Sequence, residues 1–446
     1  MLRFVIFLSG IYGQILLQNV IDPSFVNEND LELEFVQAVW RHGDRAALWE
    51  LYPISEANWT FGGGGFGELT PRGMSQLHRL GAIFRQKYVT DQQFLKHRYA
   101  AKEVYIRSTD VNRTIISAQS LLYGMYPPGA WNVQGVDYPN SVDWQQGFTF
   151  VPIHVDGNDA CAVNQKCQCS RLATLLTLSD ELPEVQTAHA TMLEMNRRVA
   201  GFYNITANVE TFYEYPDAWK CQRNYFNESL YQQLPWYSED LYEEAQRAQA
   251  PYKQFQEGHF TNSSVVDGID VGREIKTLVG GPMLAEIYNR GQEKLECSAS
   301  PTNCTSYTKP LKFYGYSSHD MIVYGLLVLL DIADLVQTVD GWPDYASAVV
   351  FEFYSNPDTD EQFFKVLYRD NAENPLAEVT HRIPVCNGAT VCSMQNLQNI
   401  AEYYTPKPDF KTACKTPLNL DKASTTSSAL SGTILLISTL ISTYFM

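Results

Sequence analysis

Leu33-Glu34-Phe35-Val36-Gln37-Ala38-Val39-Trp40 runs directly into Arg41-His42-Gly43-Asp44-Arg45. The first eight residues are apolar-rich and stop at a charged cluster. That is the pattern of a buried strand whose carboxyl end opens on a polar turn. Two further stretches repeat it. Val104 to Ile106 leads into Arg107-Ser108-Thr109-Asp110, then a helical pattern with Ile115, Ala118, Leu121 and Leu122 on one face. Phe313 to Tyr316 leads into Ser317-Ser318-His319-Asp320, then an apolar helix through Leu330. Between the first two, Thr70-Pro71 opens a helix expected to reach Tyr88, with Thr as N-cap and Pro at the first helical position. Ala348 to Tyr354 and Phe363 to Tyr368 read as a hairpin at a sheet edge. Strands alternating with helices at this spacing predict an α/β fold: a doubly wound, mostly parallel sheet with helices on both faces. Ligands bind such sheets beyond the carboxyl ends of the strands. Arg41-His42, Arg107 and His319-Asp320 are therefore expected to meet in one crevice.

The stretch 161–294 has a different character, rich in Glu, Gln and Tyr with helical periodicity and no strand pattern. It is expected to form an inserted helical cap subdomain over the crevice, with 19–160 and 295–415 making the α/β domain. The 446 residues are 45% hydrophobic and 19% charged, which is enough for a sizeable core and argues against disorder. A net charge of -17 argues against nucleic-acid binding. An anionic substrate would need a local cluster of arginines set against that global field.

The motifs supply such a cluster. Nearby positive charge opposes protonation of His42, and a neutral imidazole is a nucleophile. Arg41 and Arg45 can each fork onto phosphate oxygens, Arg107 can add a third guanidinium, and Gly43 lets the backbone approach a ligand closely. His319 and Asp320 offer a donor and an acid. Each string also has a plainer reading: a solvated turn, a strand–helix junction, or a helix cap by Asp320.

Together the three strings resemble the histidine acid phosphatase family, the acid phosphatase and phytase branch of the Arg-His-Gly phosphatase superfamily. The resemblance runs from about Leu33 to Cys414 and is weakest in the insert. It implies that His42 takes the phosphoryl group as nucleophile, that Arg41, Arg45, Arg107 and His319 bind the substrate phosphate, and that Asp320 is the proton donor. It implies no metal and no other cofactor. The family usually has proline where Ala47 stands here. Its vertebrate members place a cysteine at the position of Ala348, bridged to one matching Cys221, so Cys221 needs another partner or stays free. The resemblance also implies disulfides Cys169–Cys414 and Cys386–Cys392.

Of the nine cysteines, Cys297 and Cys304 are close enough in sequence to close a small loop. Cys161, Cys167 and Cys221 are left over. No His-Glu-x-x-His or paired Cys-x-x-Cys spacing points to zinc, and no Gly-Lys-Ser/Thr follows the glycine-rich 62–67 stretch, which reads as a surface loop rather than a phosphate loop. His78 and His189 on helices, and His154 after an apolar strand, read as packing or surface residues.

Residues 1–18 have the pattern of a signal peptide. The polar linker 416–428 is followed by an uncharged apolar tail, 429–446, which reads either as a transmembrane helix or as a glycolipid-anchor signal. The lack of a following Lys or Arg leans toward the second. Sequons at Asn58, Asn204, Asn227, Asn262 and Asn303 are glycosylation candidates; a glycan at a sixth, Asn112, would crowd the crevice. These features predict a secretory-pathway protein, attached to the membrane with its catalytic domain extracellular or lumenal. Assembly as a homodimer is compatible with the sequence. The activity expected is that of an acid phosphatase on small phosphomonoesters. The alternatives are a phytase or a dedicated metabolite phosphatase, and, outside enzymes, a catalytically silent surface binding glycoprotein. Acidic residues in the insert, among them Asp217, Glu239, Asp240, Glu243 and Glu244, argue against a highly anionic substrate such as phytate.

Overall fold

The computed structural model describes residues 26–129, 131–155, 169–204, 206, 214–300, 302 and 304–418. The strands are β1 (Glu32–Arg41), β2 (Val104–Ser108), β3 (His154–Val155), β4 (Val265–Val266), β5 (Ile269–Asp270), β6 (Phe313–Ser318), β7 (Ala348–Ser355), β8 (Gln362–Arg369), β9 (Ala377–Glu378) and β10 (Cys392–Ser393). The described helices are α1 (Pro71–Phe84), α2 (Asn112–Met125), α3 (Ser170–Ser179), α4 (Pro183–Tyr203), α5 (Glu214–Tyr225), α6 (Asn227–Gln233), α7 (Glu239–Gln256), α8 (Val271–Val279), α9 (Gly281–Ala299), α10 (Asp320–Leu329), α11 (Met394–Tyr404) and α12 (Phe410–Lys415).

The main sheet runs β10-β8-β7-β1-β6-β2-β3, with β9 paired to β8. On the side that carries the motifs, β1 pairs with β6, β6 with β2 and β2 with β3, all in parallel. β7 and β8 form the expected hairpin, antiparallel to each other and to β1, and the outer side of β8 is taken by the short β9 and β10. Alternation along β1 feeds two cores. Phe35 and Val39 join Met283, Leu284, Leu326 and Phe351 under α9, α10 and α11. Val36, Ala38 and Trp40 join Leu77, Leu80, Ala118 and Leu121 under α1 and α2. Both faces of the strand are apolar because both are covered by helices.

Thr70 caps α1 as expected, its hydroxyl accepting from the amide of Gly73 at 3.1 Å. The helix expected to end at Tyr88 leaves α geometry after Phe84 and continues as a wider π turn over Arg85–Asp91, which buries Tyr88 and Val89. In the insert, Met192, Trp219, Leu230 and Leu241 pack with Ala46, Ala47, Leu51 and Trp59 of the segment after β1. The boundary expected at 294/295 falls inside α9, whose Met283, Leu284, Ile287 and Leu295 pack with the sheet residues. Among the described residues three disulfides are formed, Cys169–Cys414, Cys297–Cys304 and Cys386–Cys392. Cys221 is a buried thiol. Asn58, Asn204, Asn227 and Asn262 are exposed. Asn303, Cys161, Cys167, the leader 1–18 and the tail 429–446 lie outside the described residues. Among the described residues no helix is long and apolar enough to cross a membrane.

Candidate active site

Strand register levels the three motif strands. Arg41 of β1 stands opposite Ser318 of β6, and Ser108 of β2 opposite Ser317. The residues that follow each strand therefore emerge at one height.

His42 is buried in that crevice. Its Nδ1 lies 2.8 Å from the carbonyl oxygen of Gly43. A carbonyl only accepts, so Nδ1 carries the proton of the neutral ring and Nε2 keeps the lone pair. Burial first, then the charges of Arg113, Arg41, His319 and Arg45, hold the imidazole pKa well below its ordinary value. The ring meets His319 edge-on at 5.6 Å between centroids and lies 5.9 Å from the ring of Tyr345.

Gly43 has a packing role as well. A Cβ there would stand 2.4 Å from the carbonyl oxygen of Gly73, so the glycine is required by backbone-to-backbone packing on the first turn of α1. Asp44 ties the insert to the motif: its carboxylate accepts from Thr70 Oγ1 at 2.7 Å, Tyr225 OH at 2.6 Å and Asn224 Nδ2 at 3.0 Å.

The arginines are each oriented. Arg41 donates from Nη1 to the carbonyl of Pro343 at 2.7 Å, pairs through Nη2 with Asp320 at 2.8 Å and stacks 4.5 Å from the Tyr345 ring centre. Arg45 forms a two-point pair with Asp217 of α5, at 2.8 and 3.2 Å. Arg107 pairs with Glu286 of α9 at 2.8 Å and lies over the Tyr316 ring. Its Nε is buried, like those of Arg41, Arg45 and Arg113. Thr109 Oγ1 is 3.1 Å from Nε2 of His319. Arg113, on the first turn of α2, is the leading charge acting on His42.

Arg113 is the buried cation near His42 that the sequence reading passed over. It is only 6% exposed, and among the described residues no carboxylate pairs with it. Burial, with Arg45 nearby, pushes its guanidinium down to about 10. The signal was present: it lies six residues past Arg107, at the start of a helix whose first turn faces the crevice. Asp217 had no such signal, since its partner is 172 residues away. The Nε atoms of Arg41, Arg45 and Arg113 are all buried without a hydrogen-bond partner. A buried donor left unpaired calls for an explanation, and a bound oxyanion would supply one for all three. The combination of a neutral nucleophile, idle guanidinium donors and a carboxyl beside them is the equipment for phosphoryl transfer. Asp320 completes it. Its helix is capped at His319, while its own Oδ1 accepts from the Met321 amide at 3.0 Å and Oδ2 faces Arg41.

Residues 32–369 match the histidine phosphatase superfamily (branch 2), and the chain belongs to that family. It is an enzyme, a phosphatase of the acid phosphatase class. A Caenorhabditis elegans chain named as a putative acid phosphatase is 61% identical over 401 residues, covering 90% of this chain and 92% of that one. The human lysosomal acid phosphatase is 28% identical over 390 residues, covering 86% of this chain and 80% of that one. In fold, the Citrobacter braakii phytase superposes with a TM-score of 0.57 at 15% identity, covering 86% of this chain and 99% of that one.

Proposed function

We propose that the protein hydrolyses small phosphomonoesters in two steps through a phosphohistidine at His42. The observation that carries this is the set of idle Nε donors on Arg41, Arg45 and Arg113 around a histidine kept neutral. In the first step the Nε2 lone pair forms a bond to phosphorus and the ester P–O bond breaks. The proton of Asp320 goes to the departing alcohol oxygen, so it does not leave as alkoxide. In the second step water attacks the phosphohistidine, gives its proton to the Asp320 carboxylate, and releases inorganic phosphate. Arg41, Arg45, Arg107 and His319 hold the phosphoryl oxygens, with Arg113 adding charge beside His42. Arg107 is oriented by its pair with Glu286. These guanidinium groups neutralise the phosphate in the reading offered here, and the donor set needs no cofactor.

The reading extends to location. Three disulfides and exposed sequons support passage through the secretory pathway. We assign membrane attachment to the tail 429–446; release of the protein from cells by a phospholipase that cuts glycolipid anchors would select the lipid form over a transmembrane helix. A homodimer contact is proposed at the sheet edge formed by β3, where Val155 is exposed.

The test of the chemistry is trapping. Brief exposure to phosphate-labelled ester, quenching in alkali and peptide mapping should place the label on His42. His42→Ala should release no phosphate from p-nitrophenyl phosphate. Label on any other residue, or full activity in the variant, overturns the mechanism.

A further inference from the structure

The insert brings into the cup a charge that no motif announces. Asp217 meets the Nη1–Nη2 end of Arg45 at two points, 2.8 and 3.2 Å apart from its oxygens. Arg45 Nη1 also donates to the carbonyl of Ala46 at 3.2 Å and approaches Cys221 Sγ at 3.5 Å. One end of this guanidinium is thus fully engaged, and its Nε side is left for the phosphoryl group. Asp217 also acts electrostatically on Arg113 and Lys253, so its charge is felt across the cup. Arg41, Arg45 and Arg113 therefore face two carboxylates, Asp320 and Asp217. The remaining positive charge suits one phosphate group.

We infer that Asp217 is a specificity determinant that admits an ester bearing a single phosphate and rejects one bearing a second phosphate beside the first. The inference rests on the phosphatase reading above and narrows it. A second phosphate a few ångströms from the scissile one meets a fixed carboxylate in a partly buried site, where like charges repel more strongly than in water. Arg45, held by Asp217, has no further end to turn toward it. Rejection by a placed like charge is a general way of building specificity.

The test compares 2-phosphoglycerate with 2,3-bisphosphoglycerate, which differ by one phosphate. The wild-type enzyme should favour the first in kcat/KM. Asp217→Asn should raise the bisphosphate-to-monophosphate ratio of kcat/KM by about tenfold or more, chiefly through KM. Asp217→Glu should keep the wild-type preference. If Asp217→Asn changes both substrates by the same factor, the residue only positions Arg45 and the inference falls. A measurement on the unaltered enzyme guards against a variant that does not fold: orthophosphate should inhibit more tightly than pyrophosphate, and equal or tighter inhibition by pyrophosphate overturns the proposal. Failure of the wild type to release phosphate from 2-phosphoglycerate would instead refute the phosphatase reading itself.

Discussion

Oδ2 of Asp320 stands 2.8 Å from Nη2 of Arg41, so the proposed acid is held by one of the groups proposed to bind the phosphate. Burial alone would raise this carboxyl. Arg41, with His319, Lys253 and Arg45, outweighs burial and holds it below its ordinary value. In the empty site Asp320 is therefore ionised through the mildly acid range. A bound phosphate adds negative charge beside Arg41 and shifts the balance toward the protonated form.

This coupling predicts a dependence on the leaving group. The protonated fraction of Asp320 grows as pH falls, so kcat on an alkyl phosphate should rise toward acid pH along the limb that Asp320 sets. Asp320→Asn should lower kcat on an alkyl phosphate by about 100- to 10,000-fold. The loss on p-nitrophenyl phosphate should be much smaller, because its phenolate leaves without a proton. Steady-state rates on the two esters check this, and equal losses would remove Asp320 as donor.

Arg113 and Arg107 should both matter for phosphate binding. Arg113 opposes protonation of His42, so Arg113→Met should raise the imidazole pKa. The neutral nucleophile would then be lost at higher pH, and the acid limb of kcat/KM should move toward neutrality. Phosphate inhibition should weaken by about tenfold or more, the worth of a hydrogen bond to a charged group. Arg107→Met, which breaks a pair with Glu286, should likewise weaken phosphate inhibition by about tenfold or more. Phosphate inhibition and pH profiles of the two variants provide the measurement.

Gly43→Ala should fail by packing. Its Cβ would lie 2.4 Å from the Gly73 carbonyl oxygen, and neither backbone can yield without displacing α1. The expected cost is about 1–3 kcal/mol or more. Thermal unfolding of the variant would register it as a lowered Tm.

Cys169–Cys414 links the start of α3 to α12 across 245 residues of sequence. Cys169→Ser should cost about 2–4 kcal/mol of stability. Denaturant unfolding under oxidising conditions checks this, and an unchanged midpoint would mean that the packing of Leu175, Val185 and Cys414 holds the two ends together by itself.

Much of this was legible in the chain because it is local. Strand β1 and its polar end could be read from Leu33 to Arg45, since an apolar run covered on both faces has no polar alternation. The cap of α1 was legible in Thr70-Pro71 for the same reason. Arg113 was missed because strand position alone does not say which guanidinium groups turn inward: Arg107 sits in the strand against Glu286, whereas Arg113 rides on the helix that follows. The role of Gly43 was likewise hidden, since the atoms it avoids belong to α1, thirty residues on.

The amino-acid order by itself determined the alternation of strands and helices, the placing of His42, His319 and Asp320 after strand ends, and the family. These follow from periodicity and from neighbours a few residues apart. Only the tertiary structure decided which proton His42 keeps, that Asp217 engages Arg45, and that no carboxylate among the described residues pairs with Arg113. Each of those depends on distances between residues remote in sequence, set by how α2, α5 and α9 pack around the carboxyl ends of the sheet, and Coulomb and hydrogen-bond energies act through those distances alone.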